Sequence, residues 1–129
     1  MTTHKISFRV YYEDTDVGGI VYHPNYLKFA ERARTEWLRE LGFEQSHLME
    51  KEGIAFIVSQ LTIIFHAPAK LDDLLTIETS CKDVRKVALT MEQKIKCDHK
   101  LLATLSVTIV CINEKGKPAP LPVSLFPKL

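Results

Sequence analysis

The sequence predicts an α+β domain, one long helix lying against a sheet of about five antiparallel strands. Three observations carry that prediction. Apolar residues recur at spacings of three and four in only one long stretch, positions 24–41. From Ile54 to Asn113 the texture changes to β-rich runs. The links between those runs are too short for the crossovers of a parallel sheet. At 129 residues, 46% hydrophobic and 26% charged, the chain has the size and balance of a single globular domain, residues 1–129.

The elements follow in order. Ile6, Phe8, Val10 and Tyr12 alternate with Ser7, Arg9 and Tyr11, the period of a first strand. Pro24 suits a first helical position, and Tyr26, Ala30, Ala33, Trp37 and Leu41 mark one face of a helix stopped by Gly42. That helix would run about 17 residues, roughly 25 Å. A weaker helical segment, EQSHLMEKEG, ends at Gly53. Four strands come next, in IAFIVSQLTIIFHAP, LLTIETSCKDV, KVALTMEQKIKC and LLATLSVTIVCIN. In the third run Val87, Leu89, Met91, Gln93, Ile95 and Cys97 alternate with a more polar set, and DHK makes a tight turn into the fourth. The fourth is apolar on both sides, so it is expected to be central and covered on both faces. The proline-rich tail EKGKPAPLPVSLFPKL has no period. The second sheet face is expected still to carry apolar residues, with a second copy of the chain as their cover.

Composition excludes several functions. The net charge of +1 leaves no global field for nucleic acid or anionic membrane. No run reaches the roughly 20 apolar residues of a membrane span, and MTTHKISFRV lacks the core of a secretory leader, so a cytoplasmic protein is expected. Cys81, Cys97 and Cys111 are widely spaced without a C-x-x-C pair, as expected of buried thiols. The scattered histidines His4, His47, His66 and His99 include no i, i+4 pair beside a carboxylate, so no metal site is expected.

Chemistry concentrates in YYEDTDVGGIVYHPNY, positions 11–26, where Glu13, Asp14 and Asp16 crowd into four positions before Gly18 and Gly19. Solvated loop charges are the plain alternative. A calcium loop would place Asp14, Asp16 and Gly19 at positions one, three and six, but Gly18 falls at five and Asn25 at twelve, where a bidentate Glu belongs. A phosphotransfer aspartate lacks the βαβ alternation it needs. The loop instead reads as a catalytic corner, in which glycines allow close approach and a helix start near His23 offers N–H donors and partial positive charge. A carboxylate beside such donors can attack an acyl carbonyl or activate water. Pro24 has no N–H, which leaves the His23 main chain as donor, assisted by a loop glycine.

The stretch RVYYEDTDVGGIVYHPNYLKFAERARTEWL and the later LTIIFHAPAKLDDLLTIET resemble the YbgC-like acyl-CoA thioesterases, relatives of 4-hydroxybenzoyl-CoA thioesterase with the hotdog fold. The likeness weakens beyond about Asn113. It implies a helix wrapped by a long antiparallel sheet, acyl-CoA as substrate, no cofactor beyond the coenzyme A carried by the substrate, and a homodimer or homotetramer with sites between subunits. It places the essential carboxylate at Asp16, with Tyr12 and His23 as catalytic companions. Substrate contacts are expected from Gly19, Ile20, Val21 and Tyr26, and from Ser59 of a neighbouring subunit. Arg85 and Lys86 are candidates for the coenzyme A phosphates, or else a solvated turn. Acyl carrier protein is a further candidate partner. The rival from another class is a binding module that holds acyl-CoA or acyl carrier protein without turnover.

Overall fold

The computed structural model describes residues 3–129. The leaderless start expected of the N-terminus falls partly on residues 1 and 2, which lie outside the described residues. The chain runs β1 (His4–Arg9), a 3-10 turn (Tyr12–Asp14), α1 (Asn25–Glu40), α2 (Gln45–Glu52), β2 (Ile54–Phe65), β3 (Leu74–Val84), β4 (Ala88–Cys97), β5 (Lys100–Asn113) and a closing 3-10 segment (Val123–Lys128). The five strands form one sheet in the order β1-β3-β4-β5-β2, every pair antiparallel. This is the α+β hotdog arrangement.

Period two decides which face holds the core. Ile77, Thr79 and Cys81 of β3, Leu89, Met91, Gln93 and Ile95 of β4, and Ala103, Leu105, Val107, Ile109 and Cys111 of β5 are buried on one face. Onto that face α1 lays Phe29, Ala30, Ala33 and Trp37. Phe8 of β1 stacks on Phe29 at 6.1 Å. A polar contact pins helix to sheet: Gln93 Nε2 donates to the Ala30 carbonyl (2.9 Å) and to Thr79 Oγ1 (3.0 Å), while Arg34 Nη1 donates to Gln93 Oε1 (3.0 Å). The β4–β5 turn puts Asp98 and His99 at φ of 49° and 71°, the left-handed pair a two-residue hairpin requires.

Several expectations change. β1 stops at Arg9 rather than Tyr12, because the Val10 N–H turns to the Asp73 carbonyl and the Asp14 carboxylate takes the Tyr11 N–H. The opposite sheet face carries apolar residues only in part, since Thr76, Glu78, Ser80, Thr90, Glu92, Lys94, Thr104, Ser106 and Thr108 line most of it. Its apolar part is the corner of Ala55, Ile57, Ala88, Val110 and Ile112. β5 is interior to the sheet but covered on one face only. The tail is ordered, with Leu121 and Leu125 buried and Lys128 Nζ donating to the Leu41 carbonyl at the end of α1.

Candidate active site

The acidic loop folds as a small hairpin. Thr15 bridges Val21, the Asp16 N–H donates to the Ile20 carbonyl (3.0 Å), and the Tyr22 N–H donates to the Asp14 carbonyl (3.0 Å). Its turn needs glycine. Gly19 lies at φ 77°, where side chains are disfavoured. A Cβ on Gly18 would meet Asp16 Oδ1 at 3.2 Å. The strand-like arm of Ile20 also bridges Lys70, and the Val21 N–H donates to the Ala69 carbonyl, so the loop is laid against the segment that follows β2.

Asp14 and Asp16 have different surroundings. Asp14 is buried, accepting from the Tyr11 N–H (2.8 Å) and Asn25 Nδ2 (3.0 Å), which ties the loop to the first residue of α1. Asp16 is exposed and, among the described residues, its carboxylate holds only the Gly18 N–H, at 2.8 Å through Oδ1. Its other oxygen is free.

The start of α1 differs from the expected open crown of donors. The N–H groups of Asn25, Tyr26 and Leu27 bond to the carbonyls of Tyr22, His23 and Pro24, the tightened first turn seen at many helix ends. Gly18 and Gly19 also spend their N–H groups on Asp16. The glycine assistance expected from sequence is therefore absent, and the His23 N–H is left without a partner among the described residues. The His23 ring is exposed beside Tyr22, centroids 5.0 Å apart.

Beside His23 opens a cleft of about 330 Å³, walled by Ile20, Val21, Tyr26, Phe65, His66, Ala67 and Pro68. Tyr26 is its fixed side: the ring is buried, meets Phe65 edge-on at 5.2 Å, and its hydroxyl accepts the Ala69 N–H at 2.9 Å. The fold thus gathers Ile20, Val21, His23 and Tyr26 around one space, with Asp16 and Gly19 on the adjoining hairpin. The others stand apart within one chain. Tyr12 is 83% exposed and makes no bond to Asp16. Ser59 sits at the bulge of β2, its hydroxyl on the Thr108 carbonyl. Arg85 and Lys86 lie in the β3–β4 turn, with Arg85 paired to Asp83, at the far end of the ten-residue β4, roughly 30 Å away.

No local pattern marks the walls Phe65 to Pro68, although they sit inside the stretch LTIIFHAPAKLDDLLTIET. Lys70, exposed, is joined to the cleft residue Ile20 by a backbone bridge. Among the described residues no group of three or more His, Cys, Asp or Glu gathers to hold a metal ion, and no helix is long and apolar enough to cross a membrane. Burial pushes the Cys81, Cys97 and Cys111 thiols up from their ordinary pKa, which keeps them protonated and poor nucleophiles.

Comparison with known proteins adds four likenesses. A family model described as the thioesterase-like superfamily matches residues 10–129. The acyl-CoA thioesterase YbgC of Haemophilus influenzae is 46% identical over 88% of this chain and 85% of its own length. The acyl-CoA thioester hydrolase YbgC of Escherichia coli is 47% identical over 91% and 88%. Among solved structures, a probable thioesterase from Bartonella henselae superposes with a TM-score of 0.91 at 43% identity, covering 94% of this chain and all of its own.

Proposed function

The chain belongs to the thioesterase-like superfamily, and from that premise we propose that it hydrolyses acyl-CoA thioesters with Asp16 as the reacting carboxylate and the His23 N–H as the oxyanion donor. The observation that carries this reading is the cleft at the start of α1, lined by His23, whose N–H has no partner among the described residues, and by the apolar Ile20, Val21, Tyr26 and Phe65, beside the Asp16 hairpin. Asp16 pairs with Ile20, three residues before His23, a separation of roughly 10 Å along the backbone. An aspartate side chain reaching inward leaves space there for a thioester carbonyl, its carbon toward the carboxylate and its oxygen toward the N–H.

The acyl group lies against Ile20, Val21, Tyr26 and Phe65, with the sulfur and the coenzyme directed out of the cleft. The Asp16 oxygen not held by Gly18 either attacks the carbonyl carbon or takes a proton from water that does so. Charge builds on the carbonyl oxygen, and one oriented donor there contributes on the order of 3 kcal/mol to the transition state. The carbonyl re-forms, the carbon–sulfur bond breaks, and coenzyme A leaves as thiolate to be protonated. In the first route water then cleaves the acyl–Asp16 anhydride and returns the carboxylate.

The edge of the sheet supports the reading of a homodimer with sites between subunits. β2 has 12 residues, only β5 beside it, and exposed Ile57, Val58, Ile64 and Phe65, a long apolar edge of the kind that pairs with another strand. Pairing with the β2 of a second copy would bring that copy's Ser59 region toward the first copy's cleft.

The test is thiol release from a panel of short, long and aromatic acyl-CoAs. Turnover of one or more at a kcat above about 1 per second is expected. Stoichiometric binding with no thiol released across the panel would instead establish the non-catalytic binding module.

A further inference from the structure

Half-way along α1 a buried cation lacks an anion. Arg34 is 7% exposed, and of the nitrogens that carry its five N–H donors only Nη1 has a partner, Gln93. Burial lowers its pKa, with the charge of Glu31 opposing. Yet no carboxylate approaches within ion-pair distance among the described residues. The guanidinium instead lines a cleft of about 90 Å³ with Glu31, Thr35 and Leu38 of α1 and Phe56, Ile57 and Val58 of β2.

Glu31 stands one turn before Arg34 in the same cleft. It is exposed, and one of its oxygens accepts from Thr35 Oγ1 at 3.2 Å while the other is unengaged. The same small surface therefore carries a guanidinium whose remaining nitrogens have no carboxylate within ion-pair distance and a carboxylate with one oxygen unengaged, among the described residues, beside the strand edge that the dimer reading pairs. A two-fold contact is self-complementary: if residue i of one copy meets j of the other, j of the first meets i of the second.

We propose that Arg34 and Glu31 exchange partners across a two-fold dimer, Arg34 of each copy holding Glu31 of the other, so that the cleft is completed only by a second copy of this chain. The inference rests on the dimer reading above. It gives α1 a role beyond packing, since two reciprocal ion pairs set the registry in which β2 edges meet and sites form between subunits.

Glu31→Gln keeps the shape and removes the charge from an exposed position. By sedimentation over a dilution series its dimer dissociation constant should rise about tenfold or more. Helix content should be unchanged, and activity per chain at high protein concentration should equal that of the unaltered protein. Glu31→Arg and Arg34→Glu chains should each dimerise poorly and recover when mixed, because the mixed pair sets opposite charges across both contacts. Should Arg34→Glu not fold, Glu31→Gln alone decides. A dissociation constant unmoved by Glu31→Gln, as expected if the cleft merely holds about three waters at ~30 Å³ each, overturns the exchange while leaving the dimer intact. A chain that sediments as a monomer at every concentration overturns both.

Discussion

Replacing Asp14 with alanine removes the acceptor of two hydrogen bonds, from the Tyr11 N–H and Asn25 Nδ2, at a position with little access to water. The expected loss is about 2 kcal/mol, read as a lower urea midpoint with an unchanged slope. Its neighbour Asp16 has no such structural duty, holding one exposed turn N–H. His23 separates main chain from side chain. If its N–H is the donor, His23→Ala keeps that group and should lower kcat by no more than about tenfold, whereas a ring acting in proton transfer would cost about 100-fold or more; steady-state rates at saturating substrate distinguish the two. The loop composition pointed to one of Glu13, Asp14 and Asp16 and to the His23 main chain at the helix start, and the family resemblance is what singled out Asp16. That Gly18 and Gly19 spend their N–H groups on Asp16 depends on the hairpin register, which spacing does not encode.

Among elements, α1 and the sheet are coupled through Gln93. Gln93→Leu would leave Arg34 Nη1 and Thr79 Oγ1 unmatched in the core, and about 3 kcal/mol of destabilisation is expected in the same denaturation experiment. Strands and helices were legible because their periods are strong: the buried set Leu89, Met91, Gln93, Ile95 is the alternation visible in the sequence. Gln93 among those apolar residues was the one sign of a polar tie, but its partners come from α1 and β3, 63 and 14 positions away. The polar character of the outer face was readable in the intervening Thr, Glu and Lys of β3 and β4. It was obscured by β5, whose Val110 and Ile112 are apolar only at one corner. Phe65 to Pro68 join the cleft through tertiary closure against Ile20 and Val21, a contact no local pattern announces.

For the whole molecule the unpaired β2 edge is the deciding feature. Lysines at Ile57 and Ile64, both exposed in the single chain, should blunt that edge. The expected product is a folded monomer with thiol release at least about tenfold lower, checked by sedimentation and activity on one sample. Full activity from such a monomer would show that one chain holds a complete site. Size and composition indicated one domain, and the long run from Ile54 to Phe65 indicated a strand. That this strand lies at the edge emerged only with the order β1-β3-β4-β5-β2, since sequence order does not reveal which strand is left unpaired.

The proposed convergence of one carboxylate and one main-chain donor on a thioester carbonyl is tested most directly with Asp16→Asn. The amide oxygen can still accept the Gly18 N–H, so loop geometry and acyl-CoA binding should persist. Thiol release should fall by about 1,000-fold or more, with the dissociation constant for acyl-CoA within about threefold of its original value. An Asp16→Asn protein that binds acyl-CoA and releases thiol at the unaltered rate would contradict the account.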